Sequence, residues 1–105
     1  VGLAEAQASE AGRDVRTATF QMRELGKAQA MSELPGMFKI VSDGATGKVL
    51  GVHIAGAHAT DLIAEAGLAL RLGASVRDIA ATIHAHPTLA EGLYEAALSL
   101  VEAGG

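Results

Sequence analysis

Three stretches of the chain alternate apolar and polar side chains, which is the pattern of a β-strand with one buried face. They cover residues 13–25, 37–42 and 48–54. Residues 43–47, with the sequence Asp-Gly-Ala-Thr-Gly, separate the second stretch from the third and predict a hairpin with a five-residue, glycine-bearing loop. The pattern therefore favours an antiparallel sheet.

Apolar residues recur every three or four positions in the second half of the chain, which predicts amphipathic helices. One helix is expected over residues 60–72, with Thr60 as its N-cap and Gly73 as the left-handed residue that ends it. The last helix is expected over residues 89–103. Its inward-facing residues should be Leu89, Leu93, Ala96, Ala97 and Leu100.

A further helix is expected between these two, because Ser75 and Asp78 have the spacing of a capping box and an apolar stripe follows them up to Ile83. Near the start of the chain, residues 4–11 are rich in helix-forming side chains and predict a short helix. Residues 26–34 carry weaker helix formers and are compatible with a helical turn or with an ordered loop.

This order of elements predicts the α+β class: an antiparallel sheet with helices packed on one side, as a single domain over residues 1–105. A chain of 105 residues can bury one core. Hydrophobic residues make up 50% of it and aromatic residues only 3%, so the core should consist of aliphatic and alanine side chains. We expect part of this apolar surplus to face a partner.

Composition and charge exclude several classes of protein. Arg71 and Asp78 interrupt the apolar stretches before any reaches the roughly 20 residues that a bilayer requires, so no membrane span is predicted. The net charge of −4, with lysines and arginines scattered singly, argues against nucleic acid as a partner. The absence of cysteine excludes a disulfide scaffold and a thiolate zinc site.

The segment around Pro87 holds the candidate chemistry. Proline disfavours a helical conformation for the residue before it, so His86 should lie in a turn. Thr88 and Glu91 then have the spacing of a capping box, in which each side chain accepts a hydrogen bond from the backbone of the other. A carboxylate in this first turn can also reach the His86 ring, fix its tautomer and stabilise its protonated form. Spacing alone favours the capping box, because such boxes are common.

A metal site is an alternative interpretation of His84, His86 and Glu91, because alternate residues of a strand place two imidazoles on one side. The turn at Pro87 makes a strand there improbable, and we predict no metal. His84 should interact with the carbonyl groups that end the preceding helix. His53 and His58 are expected to be structural.

Four stretches of the chain resemble the dihydrolipoyl dehydrogenases, a family of flavin-dependent pyridine nucleotide-disulfide oxidoreductases. They are HAHPTLAE (residues 84–91), GVHIAG (51–56), LIAEAGLAL (62–70) and VGLAEA (1–6). By this resemblance the chain is the C-terminal interface domain of such an enzyme. The resemblance implies that His86 is the catalytic base, that Glu91 is its partner, and that a cis bond precedes Pro87.

The resemblance also implies what surrounds this domain. It implies FAD and NAD in the parent enzyme, with none bound to this fragment, and a homodimer in which His86 and Pro87 contact the flavin region of the partner subunit. The further partner would be the lipoyl domain of a 2-oxoacid dehydrogenase or glycine cleavage complex. The location would be the cytoplasm, or the mitochondrial matrix in a eukaryote.

Two observations suggest a fragment that does not act alone. The chain starts at Val1, and it lacks both the cysteine pair of the family's electron relay and the Gly-x-Gly-x-x-Gly pattern of a flavin or nicotinamide fold. Two alternatives remain open: the interface domain of another flavin disulfide reductase, and a purely structural dimerisation module in which Glu91 only caps its helix.

Overall fold

A computed structural model describes residues 1–104 of the chain; Gly105, the last residue of the expected domain, lies outside the described part. Its sheet consists of β1 (Val15–Gln21), β2 (Gly36–Asp43) and β3 (Val49–Gly56), in that order. Both neighbouring pairs are antiparallel, and a register shift interrupts the second pair between Val41 and Ser42. The predicted antiparallel sheet is confirmed.

The hairpin between β2 and β3 is closed by Asp43, the last residue of β2. Its Oδ1 accepts hydrogen bonds from the backbone N–H groups of Ala45 at 2.8 Å and Thr46 at 3.1 Å. These bonds hold the pKa of the Asp43 carboxyl below its ordinary value. Gly47 adopts a φ of +77°, which glycine reaches without a steric penalty. The glycine-bearing hairpin loop is therefore present as predicted, and Gly44 and Gly47 also form backbone hydrogen bonds with Asp14 and Val76.

Five α-helices accompany the sheet within residues 1–104. They are α1 (Glu5–Glu10), α2 (Gly26–Met31), α3 (Ala59–Leu72), α4 (Val76–Ala81) and α5 (Glu91–Gly104). The combination confirms the α+β class. No helix in this part of the chain has the length and apolar character needed to cross a membrane.

The main hydrophobic core lies between one face of the sheet and the helices that follow it. All five residues predicted to face inward from the last helix are buried there. Phe38 and Ile40 of β2 are fully buried and belong to the same cluster. The helix α1 instead contributes Ala8 to a second, smaller cluster with Val41 and Leu50. Because Ile40 and Val41 are adjacent in a strand, they point to opposite faces of the sheet, so α1 contacts the face opposite the main core.

The first strand ends earlier than the sequence suggested. It stops at Gln21, and a 3-10 turn over Met22–Glu24 follows where alternation was expected to continue to residue 25. Met22, Leu25 and Ala28 are all buried. Their spacing of three residues suits a helical turn and not a strand, because strand side chains alternate with a period of two. Residues 26–34, for which the sequence allowed either a helical turn or an ordered loop, contain the helix α2.

The start of α3 differs from the prediction, whereas its end agrees. The N-cap is His58, with a φ of +60° and no hydrogen bond from its side chain to the helix, so the assignment of Thr60 as the cap was wrong. At the other end Gly73 is left-handed, with a φ of +67°, as expected. The capping box of α4 is also confirmed, because Ser75 Oγ accepts from the Asp78 N–H and Asp78 Oδ2 accepts from the Ser75 N–H.

The end of α4 exposes an apolar side chain that the periodicity placed inside. The helix stops at Ala81, and Thr82 has an extended ψ of 132°. Ile83, predicted on the apolar stripe, lies beyond the helix with 97% of its surface exposed. The apolar spacing continues to Ile83 in the sequence, but the helix has already ended at Ala81. Ile83 is therefore not turned toward the core.

Candidate functional site

The segment between α4 and α5 forms an exposed turn with its own hydrogen bonds. Thr82 Oγ1 donates to the carbonyl oxygen of Asp78 at 2.7 Å, and Thr88 Oγ1 donates to that of Ala85 at 2.7 Å. The peptide bond between His86 and Pro87 is cis. This segment, residues 82–90, is called the α4–α5 loop below. The turn expected at Pro87 is confirmed, together with the cis bond that the resemblance implied.

His86 and Glu91 meet at the end of this loop, as predicted. His86 Nδ1 lies 2.9 Å from each of the two carboxylate oxygens of Glu91. The His86 side chain is 75% exposed and that of Glu91 only 20%. An ionised carboxylate only accepts hydrogen bonds, so Nδ1 carries the hydrogen, and in the neutral ring the lone pair is on Nε2. Among residues 1–104 no hydrogen-bond partner contacts that Nε2. The pair can therefore take a proton from a molecule that approaches from outside.

Glu91 also performs half of the capping function that its spacing suggested. Its Oε1 accepts a hydrogen bond from the backbone N–H of Thr88 at 2.8 Å. The reciprocal half is missing, because the Thr88 hydroxyl donates to Ala85 and α5 begins only at Glu91. The Thr88 amide, followed by the neighbouring His86 ring, keeps the pKa of the Glu91 carboxyl below its ordinary value. One carboxylate thus fixes both the backbone of the turn and the ring of His86.

A second pair of imidazole and carboxylate lies behind the first, and sequence reasoning missed it. His84 Nε2 is 2.6 Å from Glu65 Oε2 on α3, and His84 Nδ1 is 2.9 Å from the carbonyl oxygen of Thr82. The His84 side chain is only 7% exposed. Its ring also lies 5.6 Å from that of Tyr94, at an angle of 45°. The expected interaction of His84 with carbonyl groups near the end of the preceding helix is present, but its carboxylate partner was not foreseen.

The remaining two histidines contact partners outside the α4–α5 loop. His53 Nε2 lies 3.1 Å from the carbonyl oxygen of Leu3, and His58 Nδ1 lies 3.5 Å from the carboxylate of Asp61. Throughout residues 1–104 there is no group of three or more histidine, aspartate, glutamate or cysteine side chains that could hold a metal ion. The metal alternative also required a strand at residues 84–86, which the α4–α5 loop does not contain.

The described residues do not fit a dinucleotide cofactor. A flavin or nicotinamide fold needs a parallel βαβ unit with a glycine-rich turn, whereas all three strands here pair antiparallel. Near the site the structure offers instead an open depression of about 330 Å³, bordered by Ile83, His84, Glu91 and Tyr94. The depression adjoins both imidazole–carboxylate pairs through His84 and Glu91.

Comparisons with known proteins agree on one family. Residues 1–97 match the sequence profile described as pyridine nucleotide-disulphide oxidoreductase, dimerisation domain. A dihydrolipoyl dehydrogenase of Thermus scotoductus is 47% identical over 100 residues, which are 95% of this chain and 22% of that protein. One from Bacillus subtilis is 46% identical over 94% of this chain and 21% of its own length. The chain thus spans about a fifth of these relatives.

Solved structures show the same fold. LpdA from Mycobacterium tuberculosis superposes with a TM-score of 0.88 at 26% identity, over 95% of this chain and 22% of LpdA. A Cu(II) complex of a mutant of RclA from Escherichia coli, an HOCl-induced flavoprotein disulfide reductase, gives a TM-score of 0.88 at 27% identity, over 96% of this chain and 23% of RclA.

Proposed function

Because the chain belongs to the family of pyridine nucleotide-disulphide oxidoreductase dimerisation domains, we propose that it is the interface domain of a dihydrolipoyl dehydrogenase. Such an enzyme oxidises protein-bound dihydrolipoamide to lipoamide, with FAD and NAD as cofactors. Relatives bearing that name, at 47% and 46% identity, support the choice within the family. In this proposal residues 1–105 form one domain of a longer chain.

The observation that carries this proposal is the contact between His86 Nδ1 and both carboxylate oxygens of Glu91 at 2.9 Å. The contact orients a ring that is 75% exposed, so that its Nε2 faces outward. An exposed imidazole held by a carboxylate is suited to general-base catalysis, because it can receive a proton without first breaking a hydrogen bond of its own.

His86 acts on the thiol of the substrate. Its Nε2 takes the proton from one dihydrolipoyl S–H, and the resulting thiolate attacks a redox-active disulfide that the partner subunit supplies. A mixed disulfide forms and one enzyme sulfur leaves as a thiolate. The second dihydrolipoyl thiol then passes its proton to the enzyme thiolate that has just left, and its sulfur displaces the other enzyme sulfur as a thiolate. The substrate is thereby oxidised to its disulfide and the enzyme disulfide is reduced to one thiol and one thiolate. Glu91 holds the imidazolium in place between these steps.

The other domains of the parent enzyme hold the cofactors. When bound there, FAD and NAD would accept the electrons of the reduced disulfide. We propose a homodimer in which the exposed His86 and Pro87 face the flavin-bearing part of the partner subunit. The lipoyl domain of a multienzyme complex delivers the substrate, and the enzyme resides in the cytoplasm, or in the mitochondrial matrix if the organism is a eukaryote.

Replacing His86 with glutamine in the full-length enzyme tests the proposal. The change removes the proton acceptor, and a general base typically contributes about 10² to 10⁴ in rate. We expect kcat for dihydrolipoamide oxidation to fall by that factor in steady-state assays. Flavin content and dimer formation should stay unchanged, because neither depends on the proton transfer.

Two controls define the result. His58→Asn also removes an exposed imidazole beside a carboxylate, and asparagine tolerates the left-handed conformation at this position, so this variant should keep its activity. Reduction of the bound flavin by NADH, which needs no thiol base, should proceed normally in His86→Gln. A normal rate of dihydrolipoamide oxidation in His86→Gln would refute the assignment of the base.

A second candidate is the interface domain of a flavin reductase that acts on another disulfide. The similarity to the RclA mutant, a flavoprotein disulfide reductase at 27% identity, favours this alternative. The same imidazole would serve it, because the thiolate that leaves a substrate disulfide must be protonated and the imidazolium of His86 can donate that proton. Comparing kcat/KM of the full-length enzyme for dihydrolipoamide with the values for other disulfides in the presence of NADH distinguishes the two candidates.

A further inference from the structure

His84 has a hydrogen-bond acceptor on each of its two ring nitrogens. The carbonyl oxygen of Thr82 lies 2.9 Å from Nδ1, and a carboxylate oxygen of Glu65 lies 2.6 Å from Nε2. A carbonyl oxygen cannot donate, so Nδ1 carries a hydrogen. The contact between Nε2 and Glu65 then requires a second proton, shared between the ring and the carboxylate. With 7% of its side chain exposed, His84 is shielded from competing water.

These contacts connect three parts of the fold. Glu65 belongs to α3, His84 to the α4–α5 loop, and Tyr94, whose ring lies 5.6 Å from that of His84, to α5. The helix α5 begins with Glu91, the partner of His86. His84 precedes His86 by two residues, so the position of one imidazole restricts the position of the other.

We propose that Glu65 and His84 form a positioning pair that fixes the α4–α5 loop and thereby the direction of His86. This proposal rests on the function assigned to His86. The hydroxyl groups of Thr82 and Thr88 also hold the loop, but those two bonds are exposed to water, whereas the bond between His84 and Glu65 is partly buried and links the loop to a separate helix. Exposed hydrogen bonds exchange with water at little cost, so the partly buried contact is the stronger restraint.

The charge of the pair acts in the same direction. The pKa of the Glu91 carboxyl is lowered first by the Thr88 amide, then by the His86 ring and, as the smallest cause, by the charge of the His84 ring. An ionised Glu91 is the form that accepts the hydrogen bond from His86 Nδ1. Glu65 thus influences the base through the ordered α4–α5 loop.

Variants of Glu65 in the full-length enzyme test this inference. In Glu65→Ala the loop loses its buried anchor, and we expect kcat to fall by up to about 10², the size of effect that a displacement of about 1 Å produces at a reacting group. The KM for dihydrolipoamide should change less than kcat, because the substrate does not touch Glu65. Glu65→Gln should restore most of kcat, because the neutral ring keeps the hydrogen on Nδ1 for the Thr82 carbonyl, and the glutamine side-chain N–H can donate to the lone pair of His84 Nε2.

Controls separate positioning from a loss of folding. Glu10→Ala makes the same chemical change on the exposed face of α1, and it should leave kcat unaltered. If Glu65→Ala fails to fold, Glu65→Asp replaces it: this variant keeps the charge but is one methylene too short to hold the 2.6 Å contact, and kcat should again fall. Flavin content and sedimentation report whether each variant assembles.

The outcomes also separate this inference from the proposed function. If His86→Gln is slow while Glu65→Ala and Glu65→Asp oxidise dihydrolipoamide at the wild-type rate, the base is correct and the positioning pair is refuted. A slow Glu65→Ala that Glu65→Gln does not rescue would also refute positioning through the hydrogen bond. A normal rate in His86→Gln would overturn both proposals.

Discussion

At the scale of single residues, Glu91 combines two tasks that the sequence presented as alternatives. It accepts the Thr88 amide, as a capping residue does, and it contacts His86 Nδ1 with both oxygens. The two contacts are compatible because a carboxylate has about four lone-pair sites. The capping contact places the carboxylate, and the placed carboxylate orients the ring. The capping interpretation and the interpretation as a partner of His86 therefore both describe Glu91, and neither was complete alone.

Glu91→Gln should distinguish a catalytic role from a purely structural one. Glutamine also accepts the Thr88 amide, but it supplies no charge to the imidazole. We expect the folded state to persist while kcat of the full-length enzyme falls about tenfold or more, since a base contributes about 10² to 10⁴ in rate. Unchanged turnover would favour a module in which Glu91 only supports the helix.

The stability of the same variant should depend on pH in a defined direction. Glu91 has a lowered pKa in the folded protein, so its charge stabilises the fold above the ordinary pKa of a glutamate, about 4.3. This contribution is lost as the pH falls through the lowered pKa. In urea unfolding, the excess stability of the wild type over Glu91→Gln should be complete at neutral pH and disappear in acid. A constant difference across that range would contradict this.

The sequence revealed a contact of the site only where its two residues lie close together along the chain. The spacing of His86 and Glu91, about one helical turn apart, showed only that they could meet, and the family resemblance identified them as a base and its partner. His84 and Glu65 are 19 residues apart on different elements, and spacing rules do not reach that far. No local signal marked Glu65, because Asp78 and Glu95 also directly precede buried residues in their helices.

At the scale of elements, the type of each helix and strand was predictable and several of its ends were not. The strand β1 ends where burial changes from a period of two to a period of three, and α4 ends although its apolar stripe continues to Ile83. The last helix begins at Glu91, two residues after the predicted start. In each case tertiary contacts or turn geometry decided the boundary, and local pattern did not.

Gly92 links the first turn of α5 to the sheet, and Gly92→Ala should destabilise the protein. A Cβ at this position would overlap the ring of Phe38, which is fully buried on β2. Overpacking of this kind typically costs about 1–3 kcal/mol. Urea unfolding followed by circular dichroism measures the loss.

Gly67→Ala is the matched control for this effect. It makes the same substitution in the interior of α3, where no atom lies within 4 Å of the added Cβ. Here the greater helix propensity of alanine should stabilise the protein by about 0.5–1 kcal/mol. Equal effects of the two substitutions would show that the contact with Phe38 does not restrict the position of α5.

At the scale of the whole molecule, the exposed α4–α5 loop is the surface that we expect to contact the second subunit of the proposed dimer. Ile83 is 97% exposed, although it lies next to the buried His84. It also borders the depression beside Glu91. An exposed isoleucine of this kind, three residues before the proposed base, is expected to pack against the partner subunit that brings the disulfide. Ile83 is thus one candidate for the apolar residues that the composition led us to expect at a contact with a partner.

Ile83→Asp should therefore weaken the dimer of the full-length enzyme. Full burial of an isoleucine side chain contributes about 1.5–3 kcal/mol. A homodimer loses two such side chains, so the dissociation constant should rise by about 10² to 10⁴. Sedimentation over a range of concentrations measures this change. Leu34→Asp places the same charge at another exposed apolar residue outside the α4–α5 loop, and it should leave the dissociation constant unaltered.

The positions of the two carboxylates limit how this site can be moved to another scaffold. The loop carries both imidazoles, but Glu65 comes from α3 and Glu91 from the first position of α5. A graft of residues 82–90 alone would transfer two histidines without either acid. A protein engineer would need to transplant α3 and α5 together with the loop and with their relative orientation intact. The smallest portable version of this site is therefore most of the second half of the chain.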